Sequence, residues 1–432
     1  LRWERWWRPS SPGLRSSRDA VDRAVEDGVP ERLTGETPDA TMRHMTAATQ
    51  APVAERPGIA APSGSAREPV RFFLPGPTWV RRDILEAMAR PMTAHRSPEF
   101  KALYATVSEN LKKLFRTERD VYTATGSSTL VMESAVISSS RDRVLNLTAG
   151  AFSERWHMIC RSLARTADRV YVPWGKAIDP DLVREALRRA PYEAVTVVHN
   201  ETSTGVLQPL QEIVEVVREE SDAVVLVDAV SSLGGAPVEP EAWDLDLVLA
   251  GSQKALSLPP GLAFFTLSER LETQAYETPP RGWYTDVLHY RDDHRRQGGP
   301  ITTPAIPVFY AAERQLPRVV AEGLEARWER HRRMAARTAE WAESRGVPFA
   351  SEAGVRSPTV SCLRPPEGVG ARELVTALAD KGFTIGSGYG IWRDSTFRIG
   401  HMGEVHEDDL ERLLEVLDET VEELRAAPRT SS

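Results

Sequence analysis

Three features along this chain could together perform covalent amine chemistry: one lysine, one aspartate and one run of small hydroxyl residues. The lysine is Lys254, in Gly251-Ser252-Gln253-Lys254-Ala255-Leu256, followed by Pro259-Pro260-Gly261. It comes directly after the apolar run Leu245–Leu249. An amine at the end of a buried strand loses solvation, which lowers its pKa and frees its lone pair for attack on a carbonyl. Lysine is also scarce here. Of 54 basic residues only Lys101, Lys112, Lys113, Lys176, Lys254 and Lys381 are lysines. The other five read as ordinary polar-face, loop or helix-end residues. Without its neighbours Lys254 is equally readable as a surface loop lysine.

The neighbours argue otherwise. Asp228 closes the run Val224-Val225-Leu226-Val227, one strand–connection–strand unit before Lys254. A carboxylate at the C-terminal end of a parallel strand points into the crevice where α/β sheets bind ligands. Such a group can keep a pyridine nitrogen protonated, and its bland alternative is a turn or helix-cap aspartate. Thr125-Gly126-Ser127-Ser128-Thr129 precedes the helical pattern Leu130–Ser138. Small residues there let helix N–H groups approach a phosphate, although Ser or Thr before a helix is more often a simple cap. Gly386-Ser387-Gly388-Tyr389-Gly390 is not a dinucleotide fingerprint, because Ile391-Trp392-Arg393 follows instead of a helix.

The elements that must position these groups alternate. Apolar runs at Arg143–Leu147, Arg169–Val172, Ala194–Val198, Ala223–Val227 and Leu245–Leu249 predict strands buried on both faces. Helical patterns lie between several of them, notably Pro180–Arg189 and Leu210–Glu220. Phe100–Phe115 is an amphipathic helix with Leu103, Val107, Leu111, Leu114 and Phe115 on one face. These features predict an α/β fold with a mostly parallel sheet. A long helical stretch from about Pro307 to Arg345 leads to a smaller α+β region ending in the helix Glu407–Arg425. Order is expected from near Arg71. Residues 1–70 are expected to be a disordered or artefactual N-terminal segment, since they show no sustained period and no signal-peptide core. The sequence begins with Leu, and Met42 or Met45 is expected as an alternative start.

The net charge of −8 argues against a dedicated nucleic-acid binder. No apolar run reaches the roughly 18 residues needed to span a bilayer. Cys160 and Cys362 stand far apart without metal-ligand spacing, which suggests a reducing, cytoplasmic setting and no disulfide framework.

Five ordered strings carry a family likeness. They are Leu74-Pro75-Gly76-Pro77-Thr78, Glu201-Thr202-Ser203-Thr204-Gly205-Val206, Val227-Asp228-Ala229-Val230-Ser231-Ser232-Leu233-Gly234, Ser252-Gln253-Lys254-Ala255-Leu256 and Phe397-Arg398-Ile399-Gly400-His401-Met402-Gly403. From about Arg71 to Ala427 the chain resembles the class V aminotransferases, in the alanine–glyoxylate and serine–pyruvate (or serine–glyoxylate) group. The resemblance implies the fold-type I architecture of pyridoxal-phosphate transferases. The arm and large cofactor domain would occupy 71–315 and the small C-terminal domain 316–427, in a homodimer.

The resemblance also implies roles. Lys254 would carry pyridoxal 5′-phosphate covalently and shuttle the proton, and Asp228 would pair with the pyridine nitrogen. Ser127, Ser128 and Thr129 would hold the phosphate, with Gln253 nearby. Thr202 would bond the ring oxygen and Val230 would pack under the ring. Arg398 would take the substrate α-carboxylate in a two-pronged bond. Small residues around Gly76 would suit a small substrate. Two positions depart from the family pattern. Phe152 stands where a stacking tryptophan is common, and it stacks without an indole N–H. The loop Gly298–Pro304 fits the segment that reaches the partner's phosphate, with either Thr302 or Thr303 as the contact.

The implied reaction is a ping-pong transfer of an amino group from serine or alanine to glyoxylate or pyruvate. A cysteine desulfurase on the same fold would need a loop cysteine before Arg398, and the loop Gly386–Gly390 has none. A non-catalytic protein of this fold is a rival of another class, opposed by Lys254, Asp228 and Arg398 occurring together.

Overall fold

A computed structural model describes residues 69–278 and 281–426, all within one compact unit of residues 67–432. The expectation for the N-terminal segment falls, up to residue 68, outside the described residues.

The chain enters through β1 (Phe72–Phe73), α1 (Arg82–Ala87) and α2 (Pro98–Phe115). The start of α2 is set locally: Ser97 accepts a bond from the Phe100 N–H, and Pro98 occupies the first turn. Its apolar stripe, Leu103, Val107, Leu111 and Leu114, is buried as its spacing predicts. Next come β2 (Val121–Thr125), α3 (Ser128–Ser139), β3 (Arg143–Thr148), α4 (Ala151–Ser162), β4 (Thr166–Tyr171), α5 (Pro180–Arg189) and β5 (Ala194–Val198). Two short strands, β6 (Asn200–Glu201) and β7 (Val206–Leu207), form a small hairpin before α6 (Leu210–Glu220). The central region closes with β8 (Val224–Asp228), β9 (Leu247–Gly251) and β10 (Leu262–Leu267).

These strands build a seven-stranded sheet in the order β2-β10-β9-β8-β5-β3-β4. β10 is antiparallel to both of its neighbours, and the remaining pairs are parallel. β2 therefore runs in the same sense as β9. Strands β5, β8 and β9 are buried at every residue, which is why they read as unbroken apolar runs rather than alternating ones. The geometry places the C-terminal ends of β2, β3, β5, β8 and β9 along one edge of the sheet.

After the sheet come α7 (Glu269–Tyr276), α8 (Val287–Gln297), α9 (Ile306–Glu322) and α10 (Leu324–Ser344). The long helical stretch is thus two helices, parted at Gly323, whose φ of 81° ends α9. Then follow β11 (Val360–Leu363), α11 (Ala371–Asp380), β12 (Thr384–Ser387), β13 (Phe397–Gly400) and α12 (Glu407–Ala426). A four-stranded sheet in the order β1-β12-β13-β11 joins the entering arm to this last region. Among the described residues, no helix is long and apolar enough to cross a membrane.

Candidate active site

The aligned strand ends enclose a cavity of about 210 Å³. Of the residues singled out in the sequence, Gly76, Ser127, Ser128, Thr129, Phe152, Thr202, Asp228, Val230, Gln253 and Lys254 all line it. They come from five strand exits and the entering arm. Ser127–Thr129 follow β2, Phe152 follows β3, Thr202 follows β5, Asp228 ends β8, and Gln253 and Lys254 follow β9. Gly76 arrives on the entering arm.

Lys254 is buried, and its Nζ donates to the Pro75 carbonyl oxygen. The arm is latched to the lysine loop: Thr78 N–H bonds Gln253 O at 3.0 Å and Thr78 Oγ1 bonds Lys254 O at 2.9 Å. Gly76 is required by this contact, since a Cβ there would lie 2.3 Å from Lys254 Nζ and its φ is 122°.

Burial pushes the Lys254 amine down to about 8, helped by the positive charge of Arg398 and opposed by the carboxylate of Asp228. Asp228 is buried as well, and burial raises its carboxyl to about 6 against the bond it accepts from the Val230 N–H at 2.8 Å. The neutral amine is the form that attacks an aldehyde, and its fraction grows as pH rises through the pKa. Uptake of pyridoxal phosphate by the apo-protein should therefore accelerate with pH and level off above about 8, where a free lysine would require about 10.4. Stopped-flow absorbance across pH 6 to 11 checks this expectation, and an inflection near that of free lysine would contradict it.

The loop after β2 is open to an anion. Ser127 stands at the N-cap of α3 with extended φ and ψ, yet its side chain makes no capping bond. Leu130 N–H bonds Ser127 O at 2.9 Å, and the Ser128 and Thr129 N–H groups are left to an outside acceptor. Gly251 permits a close approach here, since a Cβ would meet Ser128 Oγ at 2.6 Å and Gln253 Oε1 at 2.8 Å. Thr202 Oγ1 and Ser231 Oγ are 2.5 Å apart on the same wall. Asn200 Oδ1, from another lining residue, is buried without a hydrogen-bond partner in the described structure. A polar pocket with an open helix start, an unpartnered acceptor, a carboxylate and a buried amine fits a phosphorylated pyridine aldehyde.

Arg398 on β13 stands just behind this wall and does not itself line the cavity. It is buried and pinned by bonds from Nε to Ser387 O (2.9 Å) and from Nη1 to Thr202 O (3.2 Å). Thr302 is partly buried and Thr303 exposed, and neither lines the cavity of its own chain. His95, Arg96, Tyr284 and Trp392 also lie outside the lining; Tyr284 instead bonds Thr125 O, and Trp392 packs edge-on against Trp174. Cys362 is buried on β11 with its thiol pushed up to about 11 by burial, so no cysteine nucleophile faces the site.

The family model for aminotransferase class-V matches residues 83–405. The chain belongs to the class V aminotransferases. It is 37% identical to an uncharacterized aminotransferase of Methanocaldococcus jannaschii, over 82% of this chain and 93% of that one. It is 32% identical to the L-aspartate–glyoxylate aminotransferase of Paracoccus denitrificans (77% and 86%) and 30% identical to the serine–glyoxylate aminotransferase of Methylorubrum extorquens (79% and 89%). The solved alanine–glyoxylate aminotransferase of Nostoc superposes with a TM-score of 0.78 at 27% identity, covering 84% of this chain and 98% of that one. The protein is accordingly a pyridoxal-phosphate-dependent transaminase of fold type I.

Two lining or adjoining residues escaped sequence reading. Glu201 is fully buried and accepts bonds from the N–H groups of Phe152 (3.3 Å), Ser153 (2.9 Å) and Ser203 (3.2 Å) and from both serine hydroxyls. A carboxylate at the N-terminus of α4 is favourable for the helix dipole, and it fixes Phe152 at the cavity wall. Its signal was the same as that of Asp228: an acid soon after an unbroken apolar strand. The second is Arg155, one helical turn after Phe152 and therefore on the same face of α4.

Proposed function

We propose that this transaminase moves the amino group of a small amino acid, serine or alanine, to glyoxylate or pyruvate by a ping-pong cycle. The observation that carries this reading is the convergence of Lys254, Asp228 and Ser127–Thr129 on one cavity of about 210 Å³, with Gly76 closing it. The named activities of the Methylorubrum and Nostoc relatives support the choice of substrates.

Bound pyridoxal phosphate supplies the electron sink that stabilises negative charge at the substrate Cα. Lys254 would anchor it, and its Nζ would take the substrate Cα proton and later return it. The lowered pKa leaves a usable fraction of neutral base near neutral pH. Asp228 holds the proton on the pyridine nitrogen. A cation brought against its carboxylate stabilises the ionised form and offsets the effect of burial. Phe152 and Val230 would flank the ring, and Thr202 would bond its oxygen. Ser127, Ser128, Thr129 and Gln253 would bind the phosphate. Arg398 receives the substrate carboxylate, its guanidinium held in one orientation by Ser387 O and Thr202 O.

In the same reading the protein is a cytoplasmic homodimer, and Thr302 or Thr303 of the partner subunit completes the phosphate site. Exposure of Thr303 and the free, buried Cys160 and Cys362 support these two points. The large domain ends near residue 315 and the small one begins at 316, within α9.

Half-reaction spectroscopy with serine, alanine and aspartate as donors tests the substrate assignment. Serine or alanine should convert the cofactor to its amine form at lower concentration than aspartate. If aspartate alone converts it, the donor assignment is wrong while the cofactor site stands.

A further inference from the structure

We propose that Arg155 is the cationic contact of the cofactor's phosphate. The inference rests on reading Ser127–Thr129 as the phosphate cradle. Arg155 lies in α4, and its Nη1 is 3.3 Å from Thr129 Oγ1, in the first turn of α3. The guanidinium carbon stands 4.9 Å from the centre of the Phe152 ring, and Nη2 is 3.5 Å from the Tyr389 hydroxyl. The head group therefore spans from the ring-stacking aromatic to the open start of α3.

Its lack of an acid is the informative feature. Most arginines described here sit within ion-pair distance of a carboxylate, as Arg218 does with Asp244 and Asp246 and Arg184 with Glu220. Arg155 has no such partner among the described residues. Its positive charge is felt at both Lys254 and Asp228, which places it inside the electrostatic field of the site.

Charge balance then selects the ligand. A phosphate monoester carries nearly two negative charges at pH 7. Ser127, Ser128, Thr129 and Gln253 are all neutral. The cavity lining holds two cations, Lys254 and Arg155. Lys254 is committed to the covalent link at the cofactor's aldehyde and Arg398 is bonded behind the wall, so neither is placed to pair with the phosphate. An uncompensated dianion in a partly dry pocket is costly, and the planar fork of arginine suits phosphate oxygens. A prop for Phe152 alone would not need the bond to Thr129. A clamp for a distal substrate carboxylate would not need to stand at the α3 start.

The test compares pyridoxal phosphate with pyridoxal, which lacks the phosphate. Both are titrated into apo-protein by fluorescence quenching for wild type, Arg155→Gln and Arg155→Lys. Loss of a charged hydrogen bond should weaken pyridoxal phosphate on the order of ten- to a hundred-fold in Arg155→Gln. Pyridoxal should bind the wild type and Arg155→Gln alike, and Arg155→Lys should recover most of the phosphate-dependent affinity. Equal weakening of both ligands would make Arg155 a support for Phe152 and overturn the proposal. Unchanged pyridoxal phosphate affinity, with or without a higher KM for aspartate, would also overturn it. Should Arg155→Gln fail to fold, equal weakening of pyridoxal phosphate and pyridoxal in Arg155→Lys would overturn the proposal. Failure of the wild type to bind pyridoxal phosphate at all would instead sink the functional reading beneath it.

Discussion

Lys254→Ala should erase the visible absorption band of the lysine-linked cofactor and cut turnover by at least about 10²- to 10⁴-fold, the usual worth of a positioned acid–base group. No other lysine stands ready to replace it. Lys112 is paired with Asp120, Lys176 with Glu352 and Lys381 with Glu423. Lys101 and Lys113 lie on the exposed face of α2. Absorbance of the reconstituted protein and single-turnover rates with serine or alanine check both parts. The band and the turnover should vanish together, because one amine performs both tasks. A variant that retained wild-type turnover would show that the chemistry resides elsewhere.

Asp228→Asn should retain the linked cofactor and lose turnover by on the order of 10²- to 10³-fold, comparable to removing one preorganised charge-stabilising group. The amide is nearly isosteric and still accepts a bond on its oxygen, so the Val230 N–H keeps a partner. It cannot hold a proton on the pyridine nitrogen by charge. The substitution also carries a signature that a packing defect would not. The Asp228 carboxylate stabilises the Lys254 ammonium, so its removal lowers the amine pKa further below about 8. The inflection of cofactor uptake should move to lower pH while the rate of the Cα proton step falls. An inflection that moved upward, or a kcat left at the wild-type level with only KM raised, would refute the assigned contact.

The central sheet was readable because burial on both faces leaves a local trace. The run at Ala194–Val198 coincides with β5, and helices α5 and α6 match their patterns, since Asp179 and the apolar spacing of α6 act within a few residues. The run beginning at Leu245 was shifted by two residues, because Leu245 and Asp246 are as buried as the strand that starts at Leu247. The antiparallel β10 was not recognised from its residues, because Leu262–Leu267 carries no mark of direction. Its sense is set by pairing with Gly251 and Thr125. Nor did the sequence separate α9 from α10, where a single glycine with positive φ makes the break.

At the site, the residue types determined the chemistry and the tertiary structure decided who stands beside whom. Lysine scarcity, strand-end placement and five family strings identified Lys254, Asp228 and the hydroxyl run, all properties of short stretches of chain. The Gly76 contact with Lys254, the seating of Glu201 under α4 and the reach of Arg155 to Thr129 join residues distant in the chain. Such contacts leave no periodicity in the residues that make them. They follow from packing every strand and helix at once, which brings separate strand ends to one edge of the sheet and closes them over a single cavity.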